Sequence, residues 1–199
     1  MPTDKPEILY RKATLSDVPA IHRIIGDCAE LGLMLPQSLA VLYENIRKYH
    51  VAIDATNNEH KVIGVCGLSI IWANMGEISS LAVDPNYRGH GIGKALTQHC
   101  LDEAHELSIK KIITLTYEQQ FFESLGFSVV DRQTLPLKVW SVCINCPKNQ
   151  ACDEIAMIII FDDIDEIHAP NPASLPQANY TIPITLSQTK ISGQPNKQI

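Results

Sequence analysis

The 199-residue chain is 45% hydrophobic and 19% charged, enough apolar content for one well-packed domain with a remainder, and it excludes a wholly disordered chain. Its net charge of −6 and scattered basic residues argue against tight, sequence-independent nucleic-acid binding, which draws on clustered Lys and Arg. No apolar run reaches the ~20 residues that span a bilayer, and the opening "MPTDKPEILYRKATLSDVPA" lacks the apolar core of a secretory signal. The six cysteines then read as reduced thiols or metal ligands rather than a disulfide framework, and a cytoplasmic location away from membranes is expected.

In chain order, "ILYRKAT" (Ile8 to Thr14) predicts a strand, and "LSDVPAIHRIIGDCAELG" a helix capped by Ser16 or Asp17, with Val18, Ile21, Ile24, Ile25 and Cys28 at helical spacing. After Pro36 a second helix is expected from Ser38 to Tyr49, with Leu39, Leu42, Tyr43 and Ile46 on one face, so that the two form a hairpin. "HVAIDATNNEHKVIGVCGLSII" reads as two strands turning at Asn57 and Asn58, and "GEISSLAVD" as a third, giving an antiparallel meander. "GKALTQHCLDEAHELSI" carries Ala95, Leu96, Leu101, Ala104 and Leu107 as the stripe of a long helix. "KIITLTY" is a strand, "EQQFFESLGF" a short helix stopped by Gly126, and Phe127 to Val130 and "EIAMIIIFD" are two further strands able to pair. The Pro-, Asn-, Gln- and Ser-rich remainder sets a boundary, with one domain over residues 1–163 and an extension over 164–199 in which "YTIPITL" can still add an edge strand.

Between the meander and the long helix lies "LAVDPNYRGHGIGKAL". Glycines where a strand passes into a helix let several backbone N–H groups face one spot, and the helix dipole favours an anion there. Arg88, Gly89, His90, Gly91, Ile92 and Gly93 are the candidate phosphate-binding residues. Gly93-Lys94 is followed by Ala95, so the loop is not a Walker A; it also follows an antiparallel meander, which speaks against a Rossmann loop.

The pattern Arg-x-x-Gly-x-Gly after Leu81-Ala82-Val83, with "FFESLGF" further on, resembles the GNAT acetyltransferases. "LGLMLPQSLAVLYENI", "EISSLAV", "LTYEQQFFESLGF" and "LPLKVWSVCINCP" extend the likeness, over Leu9 to Phe161, to amino-acid acetyltransferases similar to the acetyltransferase domain of N-acetylglutamate synthase. Nothing here resembles that enzyme's amino-acid kinase domain. The resemblance implies an α+β fold with a mixed, mostly antiparallel central sheet and helices on both faces. It also implies acetyl-CoA as donor, pantetheine along Leu81, Ala82 and Val83, and pyrophosphate on Arg88 to Gly93. The implied activity is transfer of acetyl to the α-amine of an amino acid, foremost L-glutamate, in arginine biosynthesis. A GNAT acting on another small amine and a non-catalytic acetyl-CoA-binding regulator stay open, as does a homodimer.

The chemistry needs a proton acceptor for the amine, and Glu77, at the start of the strand leading to the cofactor segment, is the candidate base; a solvated strand-end carboxylate is the alternative. Backbone N–H groups near Leu81 to Val83 can polarise the acetyl carbonyl. The aromatic pair in which many GNAT enzymes place a proton-donating tyrosine is here Phe121-Phe122, so Tyr117 is the candidate acid, with a core tyrosine or a thiolate leaving into water as alternatives. Gln37 and Ser79 stand where the resembling enzymes often carry Arg, which removes positive charge from the acceptor site. Lys138, Arg47 and Arg132 remain as candidate carboxylate anchors. Cys143, Cys146 and Cys152 have a spacing that can hold zinc, but no fourth ligand stands nearby, so a metal-free loop is favoured.

Overall fold

The computed structural model describes residues 6–56, 60–135 and 152–167. Strand β1 (Ile8–Lys12) leads through a 3-10 turn (Leu15–Asp17) into α1 (Val18–Glu30), then α2 (Leu39–Glu44) and a second 3-10 turn (Ile46–Lys48). Strands β2 (Tyr49–Asp54), β3 (Lys61–Trp72) and β4 (Met75–Val83) follow, and α3 (Ile92–Glu106) crosses to β5 (Lys111–Thr116). Helix α4 (Gln119–Glu123), β6 (Ser128–Val129) and β7 (Ile155–Ile160) complete the order. The seven strands form one sheet in the order β1-β2-β3-β4-β5-β7-β6. Only β4 and β5 run parallel, a pairing that needs a crossover, which α3 supplies. The α+β mixed sheet expected from the resemblance is what is observed.

Two large apolar cores, one on each sheet face, and a smaller cluster of Ile71, Ile113, Leu135 and Ala156 account for the elements. On one face Val18, Ile21, Ile24 and Ile25 of α1 and Leu42 of α2 meet Tyr49, Val51 and Val65. On the other, Ile92, Leu96, Cys100 and Ala104 of α3, with Phe122 and Phe127, meet Ile63, Cys66, Ile78 and Ile112. Burial on both sides makes β3 apolar almost throughout, as a central strand requires.

Asp17 does anchor the start of α1, but by reaching back: its carboxylate accepts from the Thr14 backbone N–H at 2.7 Å and pairs with Arg11 at 2.7 Å. The second helix is shorter than expected. Ser38 caps it, accepting from Val41 N–H at 3.3 Å, but Asn45 donates its side-chain amide to Val41 O and the chain tightens into a 3-10 turn, because Tyr49 belongs to the sheet. Consequently Leu39 and Tyr43 stay exposed while Leu42 and Ile46 are buried. In α3 the buried stripe includes Ile92 and Cys100, whereas Leu107 lies beyond the helix end and is exposed. The turn expected at Asn57 and Asn58 and the extension from residue 168 lie outside the described residues. Gly126 has φ +92°, the left-handed conformation expected after α4.

Candidate functional site

Strand β4 carries the site. It pairs with β5 only at Met75–Glu77, opposite Lys111–Ile113. Among the described residues, Ile78–Val83 therefore have no strand on the β5 side, and their peptide groups line an open edge. Such an edge can accept an extended chain as an added strand.

The same strand is bulged. Pairing with β3 slips by one residue between Ala82↔Val65 and Ser79↔Gly67, and Ser80 takes φ +56°, a left-handed conformation rare for a residue with a side chain. A one-residue slip reverses the alternation. Ile78 faces α3, but beyond the bulge Ala82 faces α1 while Leu81 and Val83 pack on the α3 side. A bulge leaves a backbone group out of the ladder, and an amide so released can donate to a developing oxyanion.

Three side chains hold the bulge. Tyr49, fully buried, donates its hydroxyl to Gln37 Oε1 at 2.6 Å, and Gln37 Nε2 donates to Ser80 Oγ at 2.8 Å. Gly67 makes room for the ring: a Cβ there would lie 3.1 Å from Tyr49. Gln37, placed by sequence reasoning against the acceptor, thus has both ends of its amide engaged in fixing the strand.

Glu77 lies on the same face as Ser79, opposite Ser69 of β3, and is half-buried. Burial pushes its carboxyl pKa up and the charge of Glu154 adds to this, while Lys48 works against it. A carboxyl held above the usual range is suited to taking a proton near neutral pH. Lys48, at the end of the turn before β2, is half-buried with its pKa lowered by burial, and its Nζ lies 4.9 Å from the centroid of the Tyr49 ring. Tyr117 sits one residue past β5, at the end where β4 and β5 have separated. Phe122 is core, in edge contact with Phe121 and Phe127 at 5.0 and 5.2 Å, so it offers no proton.

The glycine loop closes the other end of the gap. Gly89 and Gly91 have φ of +81° and +75°, and Gly91 is the N-cap of α3. Both are required by backbone conformation, since a Cβ at either would meet nothing within 4 Å. At Gly93 a Cβ would sit 3.7 Å from the Phe121 ring and 3.9 Å from Val83, ordinary contact. The approach is braced by Asp84, which is buried, accepts from Asn86 N–H at 3.1 Å and pairs with Lys61 at 3.4 Å, and by Tyr87, whose hydroxyl donates to Asp54 at 2.7 Å. His90 folds its Nδ1 against the Tyr87 and Arg88 carbonyls, and Arg88 Nε reaches Val83 O at 3.5 Å. The free N–H groups of the first turn of α3 can hold a phosphate with the favourable end of the helix dipole.

Lys138, Cys143 and Cys146 lie outside the described residues. Cys152 is half-buried, with its thiol 3.6 Å from Glu154 Oε2, and among the described residues no group of three or more metal-type ligands occurs. Arg47 is exposed, and Arg132 lies in a 3-10 turn after β6. Sequence reasoning missed Lys48, Tyr49, Ser80 and Glu154. Only Tyr49 left a signal, as an aromatic at the start of an alternating strand.

An open strand edge ending at a bare helix N-terminus defines a site for an extended thioester donor that carries a pyrophosphate. The acetyltransferase (GNAT) family matches residues 19–127, and the chain belongs to it; it is an acetyltransferase whose donor is acetyl-CoA. An uncharacterized N-acetyltransferase of Chlorobaculum tepidum is 36% identical over 148 residues, covering 74% of this chain and 93% of that one. An amino-acid acetyltransferase of Mycobacterium tuberculosis is 35% identical over 132 residues, covering 66% of this chain and 75% of that one. A Mycobacterium tuberculosis protein solved in complex with CoA superposes with a TM-score of 0.67 at 28% identity, over 77% of this chain and 99% of that one. N-acetylglutamate synthase from Neisseria gonorrhoeae, 22% identical, shares the fold with a TM-score of 0.68 over 79% of this chain and 36% of that one.

Proposed function

We propose that the protein acetylates the α-amine of an amino acid, foremost L-glutamate, and so supplies arginine biosynthesis. The observation that carries this reading is Glu77, a half-buried carboxylate with a raised pKa on the face of β4 beside the bulge. Pantetheine runs along Leu81, Ala82 and Val83, and the pyrophosphate rests on Arg88 to Gly93. The acceptor's ammonium loses its proton to Glu77, directly or through one water, and the neutral amine attacks the thioester carbonyl. A backbone N–H at the bulge stabilises the oxyanion. Collapse releases the CoA thiolate, for which Tyr117 is the proton donor nearest in the chain. An amino-acid acceptor is supported by the Mycobacterium tuberculosis relative of that name, and glutamate by the resemblance to N-acetylglutamate synthase.

Release of free CoA thiol against a panel of amino acids, their amides and simple amines tests the reading. Glutamate should give the highest kcat/KM, followed by other amino acids. Preference for an amine without an α-carboxylate would overturn it and leave a GNAT for another small amine. If glutamate is not used, Ser79→Arg should create that activity by restoring charge.

A further inference from the structure

An amino-acid acceptor brings at least one carboxylate, and the site must answer it with positive charge or a fixed set of donors. Neither position where the resembling enzymes carry Arg supplies charge here. Gln37 is neutral and spent on Tyr49 and Ser80; Ser79 is neutral. The other half-buried lysines among the described residues are committed: Lys12 Nζ lies 2.7 Å from Glu103, Lys111 Nζ is 2.6 Å from Glu166, and Lys110 donates to Ile164 O.

Lys48 is different. Among the described residues its side chain makes no hydrogen bond or ion pair, and its ammonium rests against the Tyr49 ring. Tyr49, Gly67 and Ser79 form one row across β2, β3 and β4, and Ser69 and Glu77 form the next row on the same face. Lys48 ends the 3-10 turn just before the first of these rows, with its ammonium over the Tyr49 ring, and its charge and that of Glu77 act on each other. A half-buried cation that lies on an aromatic face, with no hydrogen-bonded partner for its ammonium among the described residues, is incompletely solvated.

Resting on the amino-acid reading above, we propose that Lys48 is the cation that holds a carboxylate of the acceptor, taking over the charge absent at Gln37 and Ser79. The Tyr49 ring keeps the lysine stem in place. Glu77 receives the amine proton, so the two charged groups of an amino-acid acceptor meet opposite charges. Lys48 thereby sets specificity, while Glu77 serves the chemistry.

The test is steady-state kinetics of the parent, Lys48→Met and Lys48→Arg with glutamate, 2-aminobutyrate and 4-aminobutyrate. The last two each lack one carboxylate of glutamate. Lys48→Met keeps an apolar stem over Tyr49 and should leave thermal stability and acetyl-CoA affinity unchanged. Its KM for glutamate should rise about 10- to 150-fold with little change in kcat, as loss of one charged contact implies. The analogue lacking the carboxylate that Lys48 holds should show no such rise, and Lys48→Arg should recover most of the affinity. Equal KM increases for all three acceptors would overturn the proposal. So would a shifted pH profile at constant KM, since Lys48 would then act only by tuning Glu77. If the parent prefers amino acids and only the variant result fails, the function stands and Lys48 is not the anchor. If the parent does not prefer acceptors carrying a carboxylate, both fall.

Discussion

Tyr49→Phe removes one hydroxyl from the clamp on the β4 bulge and changes nothing else in shape. The ring is fully buried in the packed core, so the phenyl group should stay in place. What is lost is the 2.6 Å bond to Gln37 Oε1, leaving an acceptor with one partner fewer. An unsatisfied buried group costs about 1–3 kcal/mol; Gln37 is half-buried and can recruit water, so about 1–2 kcal/mol is expected. For a domain of this size that is a fall in Tm of about 2 to 8 °C. The catalytic effect should be larger than the structural one suggests. With its anchor loosened, Gln37 no longer fixes Ser80 in its left-handed conformation, and the amide beside it drifts from the thioester. A misplacement of this kind costs about 10- to 100-fold in kcat, while KM for acetyl-CoA, set at the glycine loop, moves much less. Ser80→Ala breaks the same chain at its other end, so Tyr49→Phe/Ser80→Ala should cost kcat no more than the worse single variant. Differential scanning calorimetry and thiol-release kinetics measure both quantities. A lowered Tm with unchanged kcat, or strictly additive effects on kcat, would refute the positioning argument.

Glu77→Gln should lower turnover by about 100-fold or more near neutral pH, with the deficit closing at alkaline pH where the amine is already deprotonated; superimposable pH profiles would remove Glu77 as base. Because burial raises its folded-state pKa, Glu77 costs stability as pH rises from its unfolded value, about 4.3, through the folded one. Glu77→Gln should therefore match the parent in urea denaturation at acid pH and exceed it at neutral pH. Gly91→Glu should abolish acetyl-CoA binding by calorimetry, combining a left-handed φ with a carboxylate at the phosphate site, whereas Gly93→Ala should bind within a few-fold of the parent.

The order of elements was readable from periodicity because each helix and strand buries one face against a partner that repeats at its own spacing. Val18, Ile21, Ile24, Ile25 and Cys28 mark α1, and all five are buried. The glycine loop was equally legible, since Gly89 and Gly91 are demanded by local backbone conformation and by little else. Element ends were less so. Asn45 ends α2 through a local side-chain bond that competes with the helix, and Leu39 and Tyr43 carry an apolar pattern that the fold leaves exposed.

Glu77, Ser79 and the strand edge at Leu81 to Val83 could be picked out from order along the chain, because they sit next to the glycine loop in sequence. Their chemical setting could not. The clamp joins residues 37, 49 and 80 across three separate elements, and no local pattern announces a contact between them. The bulge at Ser80 arises from a register slip against β3, which exists only when the two strands pair. Gln37 looked like a lost charge and proves to be a brace, while Lys48, which no sequence pattern singled out, stands half-buried with its ammonium over the Tyr49 ring. Composition and spacing report which groups a chain owns and what each can do locally. Burial, and the meeting of groups distant in sequence, set their pKa values and their partners, and those are properties of the packed sheet alone.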